Sequence, residues 1–205
     1  MCYTRWRRHS GAALKTRRRV AREDVGEDVS SSSKRRSAVS TRGSTRGVVY
    51  VHSSPSAVCP HVEWAISGTL GARVDLKWTA QPASPGQLRA ECGWRAPSGT
   101  GGRLASALKA WPMIRFEVTE EPSAGVDGER FCFAPGLGLW HGRTSANGDI
   151  VVGEDQLRAL VAKSRAGEPL AHKLDELLAA GWDEALEPYR HAGDGAPVTW
   201  LHQVG

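Results

Sequence analysis

The sequence predicts an α+β fold. Three observations carry that reading. An apolar, β-branched run, VVYVH at 48–52, opens the ordered part. Three later segments, 73–79, 88–95 and 114–120, alternate apolar and polar residues with the period of a half-buried strand. Two segments between the strands, 57–70 and 100–111, repeat apolar residues at the helical period instead.

Each element has its own justification. In 57–70, Val58, Val62, Ala65, Ile66 and Thr69 fall on one helical face; Ser54 or Ser56 suits an N-cap, and Pro55 or Pro60 a first turn. RVDLKWT (73–79) turns Val74, Leu76 and Trp78 inward and Arg73, Asp75 and Lys77 outward. QPASPG is a turn. LRAECGWR (88–95) alternates again, with Leu88, Ala90, Cys92 and Trp94 inward. TGGRLASALKAW (100–111) aligns Leu104, Ala107, Leu108 and Trp111. IRFEVTE (114–120) places Ile114, Phe116 and Val118 inward. The order β-α-β-β-α-β is that of the ferredoxin-like two-layer sandwich. It predicts a four-stranded antiparallel sheet with two helices on one face.

A C-terminal hairpin and helical extension follows. RFCFA (130–134) and LGLWHGRT (137–144) are short strands, and Asn147-Gly148 marks a hairpin turn. Residues 154–164 form a helix with Leu157, Leu160 and Val161 together. Residues 168–182 form a second helix, with Leu170, Leu174, Leu177 and Leu178 aligned and Pro169 near its start. DEALEPYRH reads as a short amphipathic turn and APVTWLHQV as a strand. The expected organisation is a disordered basic tail over 1–45, the βαββαβ unit over 46–122 and the extension over 123–205.

Charge follows the same division. The 205 residues carry a net +5, but residues 1–38 hold eleven of the 27 Lys and Arg and four of the 22 Asp and Glu, a balance of +7. The rest of the chain is at −2. The tail has few large aliphatics and a serine run, too little apolar surface to offset the entropy of ordering. Val39 reads as an alternative start. With the basicity confined to the tail, nucleic acid is not the expected partner of the body. Apolar residues make up 40% of the chain, with no run of about 18 to cross a membrane. The Arg-rich start lacks the apolar centre of a secretory signal. Cys2, Cys59, Cys92 and Cys132 lie far apart without a CxxC pair, as reduced thiols of a cytoplasmic protein do.

Four places carry candidate chemistry. SSPSAVCPHVEWAI (53–66) gathers Ser, Cys, His and Glu, but helical geometry spreads Cys59, His61 and Glu63 around the axis. Neither a metal set nor a nucleophile–base pair is predicted, and no catalytic residue is named; Cys59 reads as a small buried hydrophobe. Trp64 points away from the sheet. It is expected beneath the 154–182 helices; otherwise it and His61 form a partner surface. PSGTGGR (97–103) is a glycine-rich entry to a helix. Gly99, Thr100, Gly101, Gly102 and Arg103, with Arg95 nearby, have the free N–H groups and charge to hold a phosphate. The loop is neither a P-loop nor GxGxxG. The outward sheet face carries Tyr50, His52, Arg73, Asp75, Lys77, Arg89, Glu91, Arg95, Arg115 and Glu117, read as cross-strand pairs rather than an RNA platform. His191 beside Asp194 is an acid–base pair or a polar turn.

The stretch GVVYVHSSPSAVCPHVEWAISGTLGARVDLKWTAQPASPG, with LASALKAWPMIRFEVTEEPSAGVDGERF, LGLWHGRTSANGDIVVGEDQLRAL and DGAPVTWLHQVG, resembles an actinobacterial family known as a domain of unknown function, numbered 3145. The resemblance covers about 46–205. Its members start just before RGVVYVH, and their genes often neighbour fatty-acid-synthesis genes, which implies an acyl-chain connection. It brings no catalytic residues and no cofactor. The expectation is a cytoplasmic accessory or regulatory protein that binds a protein partner or small ligand. The alternative is an enzyme or binder acting on a phosphate-bearing ligand such as a coenzyme A thioester.

Overall fold

The structure, a computed structural model, describes residues 43–165 and 169–192. The bulk of the basic tail, the 196–204 strand and Asp194 lie outside the described residues.

The fold is α+β. Seven strands form one antiparallel sheet in the order β2-β3-β1-β4-β5-β6-β7. They are β1 (Ser44–Pro55), β2 (Thr79–Ala80), β3 (Gln87–Pro97), β4 (Arg115–Glu120), β5 (Gly128–Ala134), β6 (Gly138–Thr144) and β7 (Ile150–Val151). The helices are α1 (Cys59–Leu70), α2 (Thr100–Leu108), α3 (Glu154–Arg165), α4 (Leu170–Leu177) and α5 (Ala180–His191). β1 begins at Ser44, so Ser44 and Thr45 belong to the sheet rather than to the tail.

β1 is central. It pairs Val49 with Cys92 of β3 on one side and with Val118 of β4 on the other. A bulge after Val51 shifts both registers. Alternation then sorts the side chains. Val49 and Val51 of β1, Trp94 of β3, Phe116 and Val118 of β4 and Phe131 and Phe133 of β5 pack with Val62 and Ile66 of α1 and Leu104 and Leu108 of α2. Gly47 is required here: a Cβ would lie 1.9 Å from the Thr119 carbonyl oxygen and 2.5 Å from the Trp94 ring.

Four expectations are corrected. First, the sheet does not stop at four strands, because β5 pairs with β4 from Phe116↔Phe133 to Glu120↔Glu129 and carries the hairpin onto the same sheet. Second, the 73–79 strand shrinks to Thr79–Ala80. Val74, Leu76 and Trp78 do pack against the core, but the backbone N–H groups of Val74 and Leu76 donate to Ser67 Oγ and Glu63 Oε1 instead of a neighbouring strand. Third, neither Ser54 nor Ser56 caps α1: a 3-10 turn over Ser56–Val58 precedes it, and Val58 stands at the cap without a side-chain bond. Fourth, 168–182 is two helices. Ala179, buried and at φ 65°, reverses the chain between α4 and α5, and α5 continues through DEALEPYRH past Pro188.

α5 lies on the sheet face opposite α1 and α2. Its Leu186, with Ala179, packs against Cys132, Ala134 and Trp140. The Trp182 indole N–H donates to Gly138 O at 2.9 Å, and the Arg115 guanidinium stacks over the Tyr189 ring.

Candidate functional site

The glycine-rich loop binds an anion, and that anion belongs to the chain. Gly99, at φ 86°, turns the backbone into α2 and exposes the first N–H groups of the helix. Glu120 ends β4 on the same sheet face as Phe116 and Val118. Its carboxylate accepts from Gly99 N and Gly101 N, both at 2.7 Å. It is 4% exposed, so a charge sits where the helix dipole favours one. The Thr100 hydroxyl donates to Pro97 O at 2.6 Å, and Arg103 donates to Thr100 Oγ1 at 2.8 Å. Two of the donors that the sequence offers to a phosphate are therefore taken. Gly102 packs against the Phe131 ring, and Arg95 stands on β3 opposite Arg46.

The residues of 53–66 separate as helical geometry requires. Cys59 is buried, its thiol directed at Ser54 Oγ and Pro55 O, and burial raises its pKa. Glu63 accepts from the Trp78 indole and Leu76 N. His61 stacks on Trp111 at 6.3 Å. Trp64 is 75% exposed. The expectation that the 154–182 helices cover it fails, because α3 and α4 lie beside Trp140 and α5 packs on Cys132 and Trp140, on the other sheet face. Met113, 46% exposed, follows Trp111. The α1–α2 side thus presents the stacked His61–Trp111 pair and, one turn on from His61 along α1, the exposed Trp64.

Beneath α5 lies a buried ionic network. Glu117 is wholly buried on β4. Oε2 lies 2.6 Å from His52 Nε2 and accepts from Arg190 Nε at 2.9 Å. Oε1 accepts from Arg130 Nη2 and Arg190 Nη2, each at 2.8 Å, and from the Cys132 thiol at 3.3 Å. Asp183 joins both arginines. Gln81 Nε2 links His52 O to Tyr189 O. Burial alone would raise the Glu117 pKa, but the bonds and charges of His52 and Arg190 outweigh it and hold the carboxyl far below its usual range. Burial and then Glu117 push the Cys132 thiol well up. Burial and the acids Glu91 and Glu117 push Tyr50, stacked on His52, to about 12. A saturated carboxylate and a suppressed thiolate make this cluster a clamp on α5, not a base or nucleophile near neutral pH.

A model of the family described as a protein of unknown function (DUF3145) matches residues 48–203. The chain belongs to DUF3145. The match spans α1 with Trp64, the Glu120-capped loop and the whole clamp of this DUF3145 protein. Comparison with curated proteins and with solved structures gives no match.

The DUF3145 chain also has a cleft of about 350 Å³ among α3, α4 and β6, whose lining includes Trp140, Leu160, Leu177, Lys163, Lys173 and Glu176. Leu160 alone of the predicted apolar trio of α3 is buried; Leu157 and Val161 are exposed. No described helix is long and apolar enough to cross a membrane.

Sequence reasoning missed the clamp partners. Asp183 and Arg190 share a face of α5, seven residues apart, but both stand far in sequence from Arg130 and Glu117, and the set meets only through the β4–β5 pairing and the docking of α5. Glu120 did leave a signal: it continues the inward alternation of Phe116 and Val118, where an acid needs a partner.

Proposed function

We propose that this protein is a cytoplasmic accessory or regulatory protein that binds a partner protein through the outer face of α1. One observation carries the reading. Trp64 is three-quarters exposed on a regular helix, flanked by His61 and its stacked Trp111. Trp is the side chain most enriched among residues that dominate binding energy, and an exposed one costs solvation until a partner covers it. Affinity capture from host lysate, with wild type beside Trp64→Ala, tests it. A partner held by the wild type and lost by the variant is expected. Identical capture by both removes α1 from the interface.

A small anionic ligand is the second reading, and the cleft favours it. Lys163 and Lys173 flank an apolar wall of Trp140, Leu160 and Leu177, with Glu176, which accepts from Lys173 at 3.0 Å, in the same lining, so an anion there would displace or share that pairing. A phosphate-bearing thioester fits that chemistry better than the loop at 99–103, whose N–H groups already hold Glu120. Thermal-shift measurement with such ligands tests it, because a ligand at 100 times its Kd stabilises by about 2.7 kcal/mol. The fatty-acid connection rests on the resemblance alone.

The first four strands and two helices read as a ferredoxin-like unit. The order β2-β3-β1-β4, antiparallel at every pair, supports this, with β5–β7 as an addition beyond β4.

A further inference from the structure

The outer edge of β3 is open over most of its length among the described residues. β3 runs from Gln87 to Pro97, whereas β2 pairs only with Leu88 and Arg89. The segment before β2 leaves the sheet toward α1, its bonds going to Ser67 and Glu63. In an antiparallel ladder the N–H and C=O of one residue point the same way, and successive residues point opposite ways. Gln81 N donates to Gln87 O at 2.9 Å, so the odd-numbered residues of β3 face outward and the even-numbered ones face β1. Past Arg89, the main-chain groups of Glu91, Gly93 and Arg95 have no strand beside them among the described residues. All three residues are exposed, and a Cβ on Gly93 would meet nothing within 4 Å. Pro97, without an N–H, closes the edge. An open edge of this kind is a template for another strand.

The charges say which strand. Glu91 stands opposite Tyr50, and Arg95 stands opposite Arg46, whose guanidinium is bound to Glu121. Neither Glu91 nor Arg95 makes an ion pair among the described residues. The sequence EcGwR is self-complementary about Gly93. Laid antiparallel on a copy of itself with Gly93 opposite Gly93, it sets each Glu91 opposite the other copy's Arg95, on one sheet face. The outward main-chain groups of 91, 93 and 95 then exchange hydrogen bonds with those of 95, 93 and 91. The arrangement is two-fold symmetric and closes on itself.

We propose that a second copy of this chain adds along the outer edge of β3, antiparallel, with the symmetry axis at Gly93, fusing two seven-stranded sheets into one. This surface is separate from the α1 face. Sedimentation equilibrium of the full chain tests it, with a reversible dimer expected. Glu91→Arg and Arg95→Glu each weaken that dimer by about tenfold or more, because like charges then face each other across the axis. Mixing the two variants restores a dimer, and so does the double variant E91R/R95E. Both side chains are exposed, and an unchanged Tm shows that each variant still folds. Hydrogen exchange at the Gly93 amide slows with protein concentration in the wild type and not in the single variants. A wild-type chain that stays monomeric at every accessible concentration overturns the proposal, as does a dimer indifferent to both reversals or a mixture that fails to pair.

Discussion

On the α1–α2 side of the sheet, Val49, Phe116, Val118 and Phe131 meet Val62, Ile66, Leu104 and Leu108, and the buried Glu120 stands at the margin of that layer, holding the start of α2. On the α5 side, the same three strands present His52, Glu117 and Arg130 to Arg190 and Asp183. The period-2 alternation of β1, β4 and β5 builds both faces at once. The first depends on contact area and shape, which are non-directional and insensitive to pH. The second depends on a few directed bonds, and a single loss there leaves charges buried without partners. Two helices on one side are thus held by bulk, and one helix on the other by fit.

The sharpest way to break this contrast is Glu117→Gln. It removes the one charge on which His52, Arg130 and Arg190 converge, and the expected loss is about 3–5 kcal/mol in denaturant unfolding. Acid should do the same reversibly. The carboxyl is depressed in the folded protein relative to its ordinary value of 4.5. Its contribution is therefore present above that value and lost as pH falls from there toward the folded one. Wild type should lose stability over that acid window, and Glu117→Gln should flatten the curve. Next comes Leu104→Ala on the apolar side, expected to cost about 2–5 kcal/mol with no acid dependence of its own. Glu120→Ala strands the N–H groups of Gly99 and Gly101, at about 1–3 kcal/mol. Smallest is Trp64→Ala, within about 0.5 kcal/mol of wild type, because no described residue covers it. A large loss at Trp64 would mean that its exposed face serves the fold rather than a partner.

Alternation made β1, β3 and β4 legible, because each strand has one apolar side. It was right about burial and wrong about pairing at 73–79: Val74, Leu76 and Trp78 face the core while the backbone N–H groups of Val74 and Leu76 go to Ser67 and Glu63. The sequence pattern reports which way a side chain faces, not which neighbour its N–H finds. The α4–α5 break was hidden for a different reason. Ala179 carries the positive φ that glycine normally signals, while Gly181, two residues on, lies inside α5. Glu120 was readable from its inward position. Arg190 was not, since nothing local in YRH marks it as the partner of a glutamate 73 residues away.

The suppressed thiol of Cys132 gives the C-terminal helix a built-in chemical clock. With Cys2, Cys59 and Cys92 replaced by serine, a maleimide reagent can react at this position only after Leu186 has moved off it. The modification rate then counts how often that helix lifts. Weakening Arg190 should quicken it, while trimming the opposite, oily layer should leave it nearly unchanged until the whole molecule begins to melt.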